Sequence, residues 1–187
     1  MIQDNRSLLL EEALRLFASR GYDAVAVQEI VDAAGVTKPT LYHYFGSKAG
    51  VLESLLRARL AALFAAVQQA VTYRGDLVMN LHDLAQAYFH TANQDPLFYQ
   101  YYLSLQYAPP DSLSHQAVAE RNEVLFQLVV RLFEEALPHM VGRQRRYAVT
   151  FVGMLNTFIT LALNDYTTLD DDLVYSAVHQ FMHGIYS

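Results

Sequence analysis

The chain has 187 residues, 53% hydrophobic and 17% charged, which is enough for a substantial buried core and too apolar for a disordered polymer. It has no cysteine, which excludes disulfides, thiolate metal sites and a cysteine nucleophile and fits a reducing cytoplasm. The net charge of −6 is uneven: Lys/Arg and Asp/Glu balance over residues 1–60, so all the excess acid lies beyond residue 60.

The first predicted helix runs from Arg6 to about Ser19, with Leu10, Ala13, Leu14, Phe17 and Ala18 as its buried face, and Gly21 ends it. Asp4, Glu11 and Glu12 make this start unlike a signal peptide. Val27, Ile30, Val31 and Ala34 then fall on one face of a second helix. Gly35 supplies a sharp turn, Val36 plugs the corner, Thr37 caps the next helix through its hydroxyl, and Pro39 fits its first turn. Leu41 and Phe45, four apart, anchor this third helix to the same core. Its other positions include Thr37, Lys38, Thr40, Tyr42, His43 and Tyr44, all donors and none acidic. Gly35 to Leu52 contains Lys38 and Lys48 and no acid. This is a helix-turn-helix whose second helix suits a phosphate-lined groove. Lys38 in its first turn reaches guanine O6/N7, and Thr40 a thymine methyl or a phosphate. Tyr42, His43, Tyr44 and Lys48 hold phosphates, and so few cations give a modest salt dependence.

Gly46 and Ser47 break the chain, and Ser47 caps a long fourth helix reaching about Thr72. Gly75-Asp76 turns into a helix ending near Asn93. Asp95-Pro96 opens a very aromatic one carrying Phe98, Tyr99, Tyr101, Tyr102 and Tyr107. After the loop at 108–111 a long helix runs from Ser112 to Leu137, stopped by Pro138. Another follows Gly142 to about Asn164, and Asp170, Asp171 and Asp172 start the last. With no strand alternation, the fold class is all-α with about nine helices. Tyr147 to Asn164 lacks charge, but Thr150, Asn156, Thr157 and Thr160 dilute it, and it is short of the about 20 apolar residues of a membrane span. A subunit interface, with Gly153 allowing close approach, fits it better.

Ala13–Phe17 with Gly21-Tyr22, Ile30–Val36, and Leu41-Tyr42-His43-Tyr44-Phe45-Gly46-Ser47-Lys48 followed by Leu52 make the region from Ala13 to Leu56 resemble the DNA-binding region of TetR-type transcriptional repressors. The resemblance implies a helix-turn-helix domain over 1–47 and a helical effector-binding and dimerisation domain over 48–187. It implies Thr37, Lys38, Pro39, Thr40, Tyr42, His43 and Lys48 as DNA contacts. Tyr44 stands where many members have His, and a phenol still donates to phosphate. The resemblance also implies a homodimer through the last two helices, about 143–164 and 171–186, forming a four-helix bundle that spaces two reading helices over a palindrome. The sequence departs from the family in having Val25 and Ala26 where a Ser or Thr usually caps the second helix, and in a weakly basic start.

The middle helices carry Phe64, Tyr88, Phe89, Phe98, Tyr101, Tyr102, Leu105, Phe126, Val129 and Phe133. Each buried tyrosine hydroxyl needs a partner, so a core built only for stability would use Phe or Leu. The resemblance implies an effector pocket here. Phe64, Tyr88, Phe98, Tyr101, Tyr102, Leu105, Phe126, Val129 and Asn156 are its candidates, and the expected ligand is an aromatic or largely apolar small molecule that releases a repressor from its operator. The fourth helix joins the two parts and is the expected lever.

An enzyme reads less well. A di-iron bundle needs Glu-x-x-His pairs, which are absent. His179 and His183 are four apart, but Gln180 stands where a zinc protease has Glu, and no third ligand is evident. No metal or cofactor is expected. A helical scaffold that has lost DNA binding is the other alternative, favoured only by the missing hydroxyl before Val27.

Overall fold

A computed structural model describes residues 4–184 of the chain. Among these there are nine helices and no strand: α1 Asn5–Arg20, α2 Val27–Ala33, α3 Lys38–Phe45, α4 Lys48–Ala70, α5 Leu77–Gln94, α6 Pro96–Gln106, α7 Leu113–Ala136, α8 Gln144–Ala162 and α9 Asp171–His183. The expected end of the last helix, at Ile185 and Tyr186, lies outside the described residues. Two compact units form. Of the described residues, one takes those up to Leu60 together with Leu97–Ala119; the other takes Ala61–Pro96 and those from Glu120 onward.

In the first unit, Leu9, Ala13, Leu14 and Phe17 of α1 meet Ile30, Val31, Leu41 and Phe45, all buried. The expected face of α1 is corrected at one position: Leu9 is fully buried, whereas Ala18 is not part of the buried core. The helix starts at Asn5, one residue before the expected Arg6, and the Arg6 guanidinium lies 5.6 Å from the Phe45 ring centroid. Phe17 stacks on Tyr101 of α6 with centroids 6.1 Å apart. Arg59 of α4 pairs with Glu11 of α1.

In the second unit, α5 packs on α8 and α9 through Leu81, Leu84, Ala85, Tyr88 and Phe89. Local chemistry starts these helices as the sequence requires. Asp76 accepts the Met79 N–H at 3.1 Å, and Asp170 accepts the Leu173 N–H at 2.9 Å. Asn80, fully buried, donates its amide to the carbonyls of Ala70 (2.6 Å) and Thr72 (2.9 Å), closing the end of α4. One face of α8 is buried through Ala148, Phe151, Leu155 and Ile159, while Val149, Gly153 and Leu161 are exposed. No helix among the described residues is long and apolar enough to cross a membrane.

The corner between α3 and α4 is tight. Gly46 takes φ +72°, which only glycine adopts without strain. Ser47 accepts the Gly50 N–H at 3.0 Å, the cap expected from the sequence. A Cβ at Gly50 would stand 1.8 Å from the Phe45 carbonyl oxygen, so the backbone could not stay where it is. Replacing Gly50 by Ala improves helix propensity yet is expected to cost about 1–3 kcal/mol of stability, because the backbone itself must move. Urea unfolding of the two proteins measures the difference; a neutral or stabilising result would show that the corner yields.

Candidate nucleic-acid interface

The recognition face is set by what is buried beneath it. Ile30 and Val31 of α2 and Leu41 and Phe45 of α3 point into one core. Between the helices Gly35 takes φ +64°, and the Val36 N–H bonds back to the Val31 carbonyl at 2.9 Å. With Leu41 and Phe45 inward, Lys38, Pro39, Tyr42, His43 and Tyr44 are exposed, and Thr37 and Thr40 are half-buried or more open. The Lys38 ammonium has no hydrogen-bond or ion-pair partner among the described residues. The rings of His43 and Tyr44 meet edge-on at 5.3 Å.

Thr37 occupies the N-cap position of α3, but its side chain does not cap it. Its hydroxyl lies 3.0 Å from that of Thr40 instead, which corrects the expected bond while keeping both hydroxyls at the start of the reading helix.

The start of α2, which lacks a hydroxyl before Val27, is held from the other side. Ala26 is the N-cap and its methyl accepts nothing, but the Glu29 carboxylate reaches back to the Ala26 N–H at 2.8 Å. The same carboxylate pairs with Arg20, whose second nitrogen donates to the Ala24 carbonyl at 3.0 Å. The Ala26 N–H, and then Arg20, hold the Glu29 carboxyl below the usual glutamate range.

Lys48 departs from the expected contact set. Its ammonium turns inward, donating to the carbonyls of Tyr22 (3.0 Å) and Val25 (2.9 Å) and lying 4.2 Å from the Tyr22 ring centroid. Sequence reasoning missed this, as it missed Gly50, Asn80 and the Arg20–Glu29 pair. Each answers to a group that lies elsewhere in the chain or on a backbone atom, and no local pattern marks it.

The residues expected to line an effector pocket divide between the units: Phe98, Tyr101, Tyr102 and Leu105 in the first; Phe64, Tyr88, Phe126, Val129 and Asn156 in the second. Six are buried in packed core, while Phe64, Phe126 and Asn156 are half-buried. The Tyr101 hydroxyl is buried without a hydrogen-bond partner, and burial above all, then Tyr22 and Asp23, raises its pKa far above the usual phenol value. Among the cavities of the second unit, two are large and open. One of about 580 Å³ is polar, with Arg74, Asp83, Gln86, His90 and Asn93 on its walls. The other, about 570 Å³, is apolar and lined by Leu77, Phe133, Leu137, Met140, Tyr147 and Met154, among others. None of the nine expected residues lines either cavity. The rings of His179 and His183 are 4.7 Å apart on α9, with no third metal-ligating side chain grouped with them among the described residues.

Comparison with known proteins adds a second line. The family model described as bacterial regulatory proteins, tetR family, matches residues 9–55. The HTH-type transcriptional activator FasR of Mycolicibacterium smegmatis is 28% identical over 184 residues, which cover 97% of this chain and 82% of FasR. The HTH-type transcriptional repressor KstR2 of Rhodococcus jostii is 30% identical over 152 residues, 81% of this chain but 58% of that repressor. Among solved structures, FadR of Bacillus subtilis in complex with stearoyl-CoA superposes with a TM-score of 0.78 at 18% identity, covering 95% of this chain and 98% of that one.

The lowered Glu29 carboxyl makes one part of stability depend on pH. A carboxyl whose folded pKa is depressed adds stability that is complete above its unfolded value and is lost as pH falls through the folded one. Glu29→Gln is therefore expected to be less stable than the parent at neutral pH. The gap should hold down to the usual value near 4.5 and close below it. Urea midpoints of both proteins across a pH series read this directly, and a gap independent of pH would rule the cap out as its source.

Proposed function

Because the chain belongs to the TetR family of bacterial regulatory proteins, we propose that it reads a palindromic operator as a homodimer in the cytoplasm, represses from it, and lets go when a small apolar effector binds. The observation that carries this is the outward face of α3, where Lys38 has no internal partner and Thr37, Pro39, Thr40, Tyr42, His43 and Tyr44 surround it. No acid lies between Gly35 and Leu52 to repel phosphate. In this reading residues 1–47 read DNA, while 48–187 bind effector and pair the subunits. The exposed Val149, Leu161 and Tyr175 of α8 and α9 support pairing through those two helices. Activation is the second reading, favoured by the likeness to the activator FasR along almost the whole chain. The scaffold alternative rests only on the hydroxyl missing at Ala26, and the start of α2 is still held by the reciprocal half of a capping box, the Glu29 carboxylate on the Ala26 N–H.

The effector's apolar part is assigned to the cavity of about 570 Å³ in the second unit, within the usual range of about 300–1,000 Å³ for small-molecule sites. Phe133 and Leu137 reach it one turn and two turns beyond Val129 on α7 and its end. An effector that favours the DNA-incompetent state weakens DNA binding by the factor by which DNA weakens the effector.

Selection of bound duplex from a random pool tests the DNA reading. An inverted repeat with half-site centres about 34–36 Å apart is expected. Lys38→Ala should lose about 1–3 kcal/mol of discrimination at one base pair of each half-site. Recovery of no preferred sequence, or of isolated half-sites bound by monomers, would reject it. A long-chain acyl-CoA, whose acyl tail supplies the apolar part, is the probe for the effector. It should release the selected duplex, and Met154→Trp should weaken that release about tenfold or more with DNA affinity unchanged. Undiminished release from Met154→Trp would move the effector to Phe64, Tyr88, Phe126, Val129 and Asn156.

A further inference from the structure

We infer that Lys48 is a positioning residue that locks the first turn of α4 to the corner between α1 and α2, and that it does not hold a DNA phosphate. The inference rests on the DNA-binding reading given above. It starts from the Lys48 ammonium, half-buried, with two of its three N–H groups on the Tyr22 and Val25 carbonyls and the Tyr22 ring at its side. Residues 21–26 lie outside any helix, so this corner at the entry to α2 has no helical ladder to order it. Arg20 takes the Ala24 carbonyl between the other two, so two cations hold three carbonyls of the corner. Charge-assisted bonds of this kind are the strong ones, and two at once fix a flexible lysine stem in a single pose.

The consequence is geometric. Lys48 is the first residue of α4, three positions beyond Phe45, the last residue of α3. Tying it to the loop that precedes α2 closes a ring through both helices of the reading motif. The Tyr22 ring extends the tie: it packs on Phe17 at 5.2 Å, and Phe17 stacks on Tyr101 of α6. With two N–H groups on the carbonyls and the Tyr22 ring beside the ammonium, a phosphate at Lys48 would have only the third N–H to bind.

Salt dependence separates a positioning residue from a phosphate ligand. Removing one phosphate ligand lowers the slope of log K against log salt by about 0.9, whereas a misplaced reading head lowers affinity and leaves the slope alone. For the full chain on its selected duplex, Lys48→Gln is expected to bind about tenfold more weakly with an unchanged slope. Tyr22→Leu should act in the same direction, and the double variant should be no weaker than the worse single one. A slope reduced by about 0.9 per half-site in Lys48→Gln, with Tyr22→Leu binding normally, would overturn the positioning role and leave the DNA reading intact. Failure of the unaltered chain to bind any duplex at low salt would overturn the DNA reading instead. Should Lys48→Gln not fold, ammonium-detected NMR of the unaltered protein decides. Lys48 should give a slowly exchanging signal before DNA is added and keep it afterwards. A signal that appears only with DNA and couples to phosphorus would overturn the inference.

Discussion

The burial of Leu41 and Phe45 is the constraint from which the reading surface follows. Fully buried side chains of this size contribute about 1.5–3 kcal/mol each, and two of them four positions apart fix the roll of a helix as well as its place. Once they are inside, Lys38, Tyr42 and His43 have nowhere to go but out. Phe45 also receives the Arg6 guanidinium over its ring and offers its carbonyl to the underside of α4. The same residue that seats the reading helix thus joins it to the helices on either side.

Cations near this surface are divided between two tasks. Lys48 and Arg20 are engaged with backbone carbonyls of one corner, and Arg59 with Glu11. Exposed pairs such as Arg15–Glu12 add little to stability. The carbonyl-bound cations matter more, because they organise a stretch of chain that no helix orders. Lys38 is the only Lys or Arg on α3 itself, so the motif presents one long cationic donor amid hydroxyls, phenols and an imidazole.

Much of the fold is legible in the sequence because its causes are local. The apolar spacing that buries Ile30, Val31 and Ala34, the left-handed Gly35, and the cap at Ser47 can each be read within a few residues and appear as expected, and the turn at Asp76 and the acid at Asp170 prove to be caps as well. What stays hidden depends on groups distant in sequence or on which of several near partners a side chain takes. Lys48 lies beyond reach of any periodicity from Tyr22 and Val25, and a lysine beside a reading helix looks the same whether it faces phosphate or carbonyl. Thr37 stands at the cap position that its place before Lys38 implies, yet its hydroxyl meets Thr40 rather than the backbone. The tyrosines of α5 and α6 are visible as a cluster, but only the packed structure shows that the Tyr101 hydroxyl is buried without a hydrogen-bond partner. Two packed units, rather than an open aromatic cavity, account for the residues expected to meet the effector.

Gly50 has a consequence for heredity. Every single-base change that replaces a glycine codon's amino acid adds at least one carbon, and at this position that carbon collides with the Phe45 carbonyl oxygen. The helix propensity that favours alanine at most interior sites is therefore closed to this one. A lineage that keeps this corner must keep a glycine codon, or rebuild the junction from both sides in the same step.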